Sequence, residues 1–189
     1  MRQYSRIIAD VVKEYLDKDN WKYQFLEDDG LITFNLRIRG MLQKAEYLFI
    51  FNDDNYTVYA SAPLSADINN PEIWELICRM NHGLKEGNFE VNPENGEIKY
   101  KMHIDCSETE LPTKRMIERS IFIPQMMFAR YGNGILQVMF NNETAKTAVE
   151  KSEADFAPDL FEIIRKIDGK RRADSEIISE QSGEEGFLG

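Results

Sequence analysis

Histidine and cysteine are scarce in this chain: two of each among 189 residues, at His82, His103, Cys78 and Cys106. Two isolated cysteines cannot build a disulfide framework and fit a reducing cytosol. No serine sits in a G-x-S-x-G elbow, and no glycine-rich phosphate loop follows a strand pattern. Gly132-Asn133-Gly134 lacks both the lysine and the preceding strand that a phosphate cradle needs. Long apolar runs are missing too. The longest core-like run, Tyr47–Phe51, is far below the roughly 20 residues of a membrane span. The opening segment MRQYSRIIADVVKEYL is charged every few residues and holds no apolar signal core, so a cytoplasmic location with no membrane partner is expected. Basic residues are outnumbered, 23 against 33 acidic, for a net charge of −10. Such a surface repels phosphate backbones and anionic lipid, so no nucleic-acid partner is expected. The compact basic cluster Lys170-Arg171-Arg172 lies in an acidic tail and reads as a solvated linker feature.

What remains is enough for a folded core. The chain is 42% hydrophobic and 11% aromatic, which excludes global disorder. Ile7, Ile8, Val11, Val12, Tyr15 and Leu16 recur at the helical period, predicting an amphipathic helix over Tyr4–Leu16. The period then becomes two. Ile32, Phe34, Leu36 and Ile38 alternate with Leu31, Thr33, Asn35 and Arg37, and Asp29-Gly30 before them suits a two-residue type I′ turn. Gly40 marks a reversal into Tyr47–Phe51, a strand apolar on both faces. Such a strand is either covered on both sides or presents its second face to a partner. The turn Asn52–Asn55 leads to a strand over Tyr56–Ala62. Asn70-Pro71 opens a helix with core positions Ile73, Ile77, Met80 and Leu84. A hairpin follows, Phe89–Val91 and Ile98–Ile104 around Pro93-Glu94-Asn95-Gly96.

From Pro112 to Asn141 the pattern is helical, with a kink expected at Pro124 and a break at Gly132-Asn133-Gly134. Shorter helices are predicted over Glu143–Ser152 and Pro158–Ile167. The expected organisation is a domain over 1–152, a helical extension over 153–168 and a disordered acidic tail over 169–189.

Candidate chemistry is thin. Cys78 and His82 stand four apart on a predicted helix, and His103 and Cys106 lie near a strand end, together a possible zinc set. Cys78 falls close to the predicted buried stripe, however, and His103 alternates onto the face of Lys99 and Lys101, so convergence is not expected. Cys106 with His103 as a nucleophilic pair needs a lowered thiol pKa, and Asp105 and Glu108 push the other way. Asp28-Asp29 and Asp53-Asp54 occupy turns, where aspartate bonds its own backbone, without the spaced ligands of a calcium loop. Met116, Met126, Met127 and Met139 read as core filler, or, where exposed, as an adaptable binding surface.

The order helix, strand meander, helix, hairpin, long helix is carried by IWELICRMNHGLKEGNFEVNPENGEIKYKMHID and YGNGILQVMFNNETAKTAVEK. In these segments the chain resembles the YbjN-type family, described as bacterial sensory transduction regulators, over roughly residues 1–150. The telling positions are Met80-Asn81 through Gly87, Phe89, Gly96, Ile98 and Tyr100, which are structural signals without an active-site signature. The resemblance implies an α+β two-layer sandwich of the type III secretion chaperone kind: a twisted antiparallel sheet of about five to six strands with helices packed on it. It also implies a small, acidic, often dimeric protein that binds extended client segments. The expectation is therefore a non-enzymatic interaction or regulatory module with no cofactor and no metal, binding a protein or peptide partner or a second copy through Tyr47, Phe49, Phe51 and Tyr59. The alternative is a small-molecule, metal-binding or enzymatic role for Cys78, His82, His103 and Cys106.

Overall fold

The computed structural model describes residues 2–108 and 111–155. The chain divides into two units, residues 1–152 and 153–189, and the elements below belong to the first, apart from the last three residues of the final helix. The predicted helix Pro158–Ile167 and the tail 169–189 lie outside the described residues.

Helix α1 (Arg6–Lys18) starts where Ser5 accepts a hydrogen bond from the Ile8 N–H, and it buries Ile8, Ala9, Val12 and Leu16. Four strands follow as an antiparallel meander: β1 (Gln24–Leu26), β2 (Leu31–Arg37), β3 (Lys44–Phe51) and β4 (Asn55–Ser65). Helix α2 (Pro71–Asn81) carries the expected cap, the Asn70 side chain accepting from the Glu72 N–H at 3.0 Å with Pro71 at the first helical position. The hairpin β5 (Asn88–Val91) and β6 (Glu97–Asp105) then pairs back onto β4, giving the sheet order β1-β2-β3-β4-β6-β5. Helix α3 (Lys114–Phe140) crosses β4 and β6, and a fourth helix, α4, covers 145–155. This is an α+β two-layer fold with an open six-stranded antiparallel sheet.

The turns differ from the sequence reading in one instructive place. Leu26 pairs with Leu31, so the β1–β2 connection has four residues rather than two. Gly30 alone takes a left-handed φ of 64°, while Asp29 does not. The Tyr4 ring occupies the space beside Gly30, where an added Cβ would come within 2.6 Å. That contact favours glycine with the longer loop over a tight type I′ turn. The β5–β6 turn is held by Asn92 and Asn95 side chains accepting from the Glu94 and Glu97 N–H groups. Its Gly96 (φ 73°) lies against the Ala66 carbonyl, 1.9 Å from where a Cβ would sit.

Buried residues alternate down every long strand, and they all point to the helix side. Phe34 stacks on Tyr47 with centroids 5.0 Å apart, and Phe49 on Tyr56 at 5.8 Å, making an aromatic layer beneath α3. Two tyrosine hydroxyls reach through this layer into the helix. Tyr47 donates to the Ile121 carbonyl at 2.8 Å and faces the Gln125 backbone N–H, the two groups on either side of Pro124. Tyr56 meets the Ser120 hydroxyl at 3.3 Å, and Ser120 donates back to the Ile117 carbonyl. Pro124 removes the donor that would reach the Ser120 carbonyl, and the tyrosines bond the adjoining Ile121 carbonyl and Ser120 hydroxyl in the same turn.

The break expected at Gly132-Asn133-Gly134 is absent, and α3 runs through it. Both glycines are helical because neighbours approach closely. An added Cβ would come within 2.5 Å of Leu42 at Gly132 and within 2.6 Å of the Ser152 hydroxyl at Gly134. Lost helix propensity of about 1 kcal/mol per glycine is thus tolerated for the sake of packing.

Replacing Tyr47 by Phe should lower unfolding free energy by about 0.5–1.5 kcal/mol, because it removes a buried hydrogen bond to α3, as read by urea denaturation. Burial and Glu86 raise Tyr100 from 10.0 to about 12, and burial pushes Tyr47 and Tyr56 upward as well. A folded state that favours the neutral phenol keeps its full stability below pH 10 and loses it as pH rises through 12. Melting temperature measured from pH 8 to 12 should fall over that upper range only, and less steeply in Tyr47→Phe.

Candidate functional site

The strand β3 holds the answer to its own two-sided pattern. Tyr47, Phe49 and Phe51, expected from the sequence to bind a partner, are 2%, 0% and 0% exposed and lie in the aromatic layer under the helices. Period-two geometry then leaves Leu48 and Ile50 on the opposite face, where no described helix lies, and these are the strand's surface half. Tyr59 of β4, the fourth expected residue, is directly opposite Leu48 on that outer face.

Following the register across the sheet builds this face residue by residue. Leu26, Leu31, Ile50, Thr57 and His103 form one cross-strand row. Gln24, Thr33, Leu48, Tyr59 and Lys101 form the next. Leu31, Leu48, Ile50 and Tyr59 are half-buried, and Leu26 is exposed at 37%. Together they make an apolar band on an otherwise polar surface. Its rim is charged. Lys99 and Lys101 lie 5.5 and 5.8 Å from the Tyr59 ring centroid, each also paired to a glutamate, Glu97 at 2.8 Å and Glu90 at 3.3 Å. Contact with Glu90, reinforced by Tyr59, raises the Lys101 pKa above its ordinary value. Towards β2 the band grades into a trough of about 1100 Å³, walled by Trp21, Lys22 and Tyr23 and floored by Thr33, Glu46 and Leu48.

The alternative set is not gathered. Cys78 lies exposed on α2, away from the buried stripe of Ile73, Leu76 and Met80 near which the sequence placed it. His82 is the exposed C-cap of that helix. His103 is on the outer sheet face, its Nδ1 3.3 Å from the Thr57 hydroxyl. Cys106 is buried just past β6, its N–H bonded to the Asp54 carbonyl. Burial, then Asp105 and Asp54, raise the Cys106 thiol pKa, the reverse of what a nucleophile needs. Among the described residues no group of three or more His, Cys, Asp or Glu side chains is placed to hold a metal ion. Of the turn aspartates, the Asp54 carboxylate accepts from the Asn55 side chain and the Asp29 N–H bonds the Leu26 carbonyl. Met116, Met127 and Met139 pack against the core.

Asn81, one of the telling positions of the sequence, has a role the sequence did not specify, and Trp21 was given none. At the C-terminal end of α2 the Asn81 amide both accepts from the Phe89 N–H at 2.7 Å and donates to its carbonyl at 2.9 Å, imitating a neighbouring strand along β5. Gly87 supports this, since its φ is 67° and a Cβ there would meet the Lys101 carbonyl at 2.6 Å. Trp21 closes the other end of the sheet, edge-on to Phe34 at 5.4 Å and 6.3 Å from Phe122. A tryptophan three residues before β1 was the available signal.

Fold and surface define a class, an α+β protein with helices on one sheet face and an open, partly apolar face on the other. The chain belongs to the YbjN family, whose model, described as "Putative bacterial sensory transduction regulator", matches residues 9–137. That span runs from the middle of α1 almost to the end of α3 and takes in Asn81, Gly87 and Gly96. No curated protein and no solved structure matches the chain. No described helix is long and apolar enough to cross a membrane.

Thiol titration of the native protein should label Cys78 rapidly and leave Cys106 unreacted until denaturant is added. Equal rates for the two would contradict the burial of Cys106.

Proposed function

We propose that this protein is a non-enzymatic interaction module of a regulatory system, and that it binds a protein partner on the outer face of its sheet. The observation that carries the reading is the apolar band of Leu31, Leu48, Ile50 and Tyr59, which no helix of the first unit covers. Contiguous apolar surface on a sheet face costs solubility unless it is used. The band also has the make-up of a binding centre: an aromatic ring beside aliphatic side chains, rimmed by charge pairs. The family's description as regulators agrees with a role in contacts rather than in turnover. Chaperone-like capture of an extended client is the finer version of the same reading, and a second copy of the chain is a further possible occupant of the band.

Leu48→Lys and Tyr59→Ala test this without entering the core. Each should leave the melting temperature within a few degrees of wild type. Each should also weaken binding of a partner recovered by cross-linking to the wild-type chain by tenfold or more, about 1.4 kcal/mol. A partner held equally well by both variants would exclude the outer face as its site.

A further inference from the structure

The middle of the outer sheet face offers a partner side chains and no backbone. β3 is paired on both sides, to β2 and β4, and β4 to β3 and β6, so their N–H and C=O groups are bonded to neighbouring strands. An extended segment laid on that face would press its own unpaired backbone groups against Leu48, Ile50 and Tyr59, a cost that no bond from the sheet offsets. A helix arrives with its backbone already bonded and with an apolar stripe to bury. The inner face is covered by helices in this way, and among the described residues the outer one is not.

Charge is distributed unevenly around the apolar band. The β1–β2 turn, the β3–β4 turn and the end of β6 share one end of the sheet, since Leu31 is opposite Ile50 and Asn55 is opposite Asp105. They carry Glu27, Asp28, Asp29, Asp53, Asp54 and Asp105. Against these six carboxylates stand Arg2 and Arg6, a side-chain net of −4 within a chain of −10. Arg6 is held by Glu27 at 3.0 Å and Arg2 by the Asn52 side chain. Asp54 accepts from Asn55, and Asp105 from the Ser107 N–H. Asp28, Asp29 and Asp53 are exposed, and no described cation is paired with them. Each is within three residues of Leu26, Leu31 or Ile50, the cross-strand row of the band nearest that end. The cations of the face lie elsewhere. Lys99, Lys101 and Lys44 are paired with Glu97, Glu90 and Glu46. His103 closes the row on β6, bonded to Thr57. Lys22 and Arg37 stand beyond the band towards the opposite end, Arg37 roughly 20 Å along β2 from Leu31.

We propose that the outer face binds an amphipathic helix of a partner protein, laid across the strands, with its apolar stripe on Leu31, Leu48, Ile50 and Tyr59 and a basic flank turned to the acidic end of the sheet. The inference rests on the reading of this face as a binding surface, and it gives the occupant a helical rather than an extended form. From β1 to β4 the band crosses three strand spacings, about 14 Å, the length of about ten helical residues. Its two rows are about 7 Å apart along the strands, which a single stripe covers. Asp28, Asp29 and Asp53 attract the basic flank on one side, and Arg37 and Lys22 repel it on the other, so charge fixes the direction in which the helix lies.

The test uses the full chain, isotopically labelled, with three synthetic fourteen-residue peptides. The first is alanine-rich, with leucines at helical spacing and lysines along one flank. The second has glutamate in place of lysine, and the third is the first with two central prolines. The lysine peptide should shift the amide signals of Leu31, Leu48, Ile50 and Tyr59, and the other two should bind at least tenfold more weakly. Asp28→Asn combined with Asp53→Asn should weaken the lysine peptide at least fivefold. Glu14→Gln combined with Glu94→Gln removes the same charge at exposed positions away from that end and should leave binding unchanged. Equal binding of the glutamate peptide, or equal loss in the two double variants, would overturn the basic flank and the proposal with it. Equal binding of the proline peptide would assign the face to an extended segment and overturn the helix. Absence of any shift on the face overturns the proposal too, and a dimer dissociated by Leu48→Lys would then make a second copy the occupant. In each case the Leu48 and Tyr59 variants, read against the cross-linked partner, decide the face reading separately.

Discussion

The hydroxyl of Tyr47 enters α3 at the turn that Pro124 disturbs, and much of the architecture depends on that contact. A 27-residue helix with an internal proline lacks the ladder donor for the Ser120 carbonyl, and Tyr47 bonds the next carbonyl, that of Ile121. Tyr47 lies opposite Phe34 on β2 and next to the β3–β4 pairing, so its ring is fixed by the sheet before its hydroxyl meets the helix. Tyr56 and Ser120 repeat the arrangement one turn earlier. The helix is thereby placed by hydrogen bonds as well as by burial. Burial alone is non-directional, and a single hydrogen bond at such a site contributes about 1 kcal/mol. Direction, more than strength, is what the tyrosines add.

Placing α3 there has a consequence on the far side of the sheet. Once α1, α2 and α3 all take the face of Tyr47, Phe49 and Tyr56, the alternate residues of the same strands face outward whatever their character. Leu48 and Ile50 are apolar nonetheless. A strand that needed only to be half-buried would carry polar residues there, as β2 does at Asn35 and β6 does at Lys99 and Lys101. The apolar choice on β3 and the Tyr59 ring beside it are therefore more than a by-product of strand propensity, because threonine would meet that propensity equally well.

Much of this was legible in the chain. The period-two runs located four of the strands, the Asn70-Pro71 cap set the start of α2, and the doubly apolar pattern of 47–51 marked the strand with a surplus face. What could not be read was which phase would be the surplus. Tyr47, Phe49 and Phe51 look more like a binding set than Leu48 and Ile50 do, since aromatics are enriched at interfaces. Large rings, however, also fill the deep space between a sheet and a long helix, and only the position of α3 decides between the two. The same lack of tertiary information hid two further features. Gly132 and Gly134 read as a helix break because the closeness of Leu42 and Ser152 is not local. Asp29-Gly30 read as a tight turn because Tyr4 lies 26 residues upstream of the glycine it covers.

An unpaired strand edge is a hazard that folded proteins usually suppress, and this chain suppresses one of its two. At β5 the cost of an asparagine at the helix end is accepted so that Phe89 has its N–H and C=O satisfied. At β2 an easy solution existed, since three more residues, Trp21–Tyr23, would have extended β1 alongside Phe34–Leu36. Hydrogen bonds from Trp21 and Tyr23 to α1 hold that segment away instead. The side chains at this edge, Asn35 and Arg37, are exposed and polar, and the trough carboxylates Glu46 and Glu97 are paired with Lys44 and Lys99. Among the described residues this edge stays open beside Trp21 and Phe122, and it adjoins the apolar band through Thr33 and Leu48.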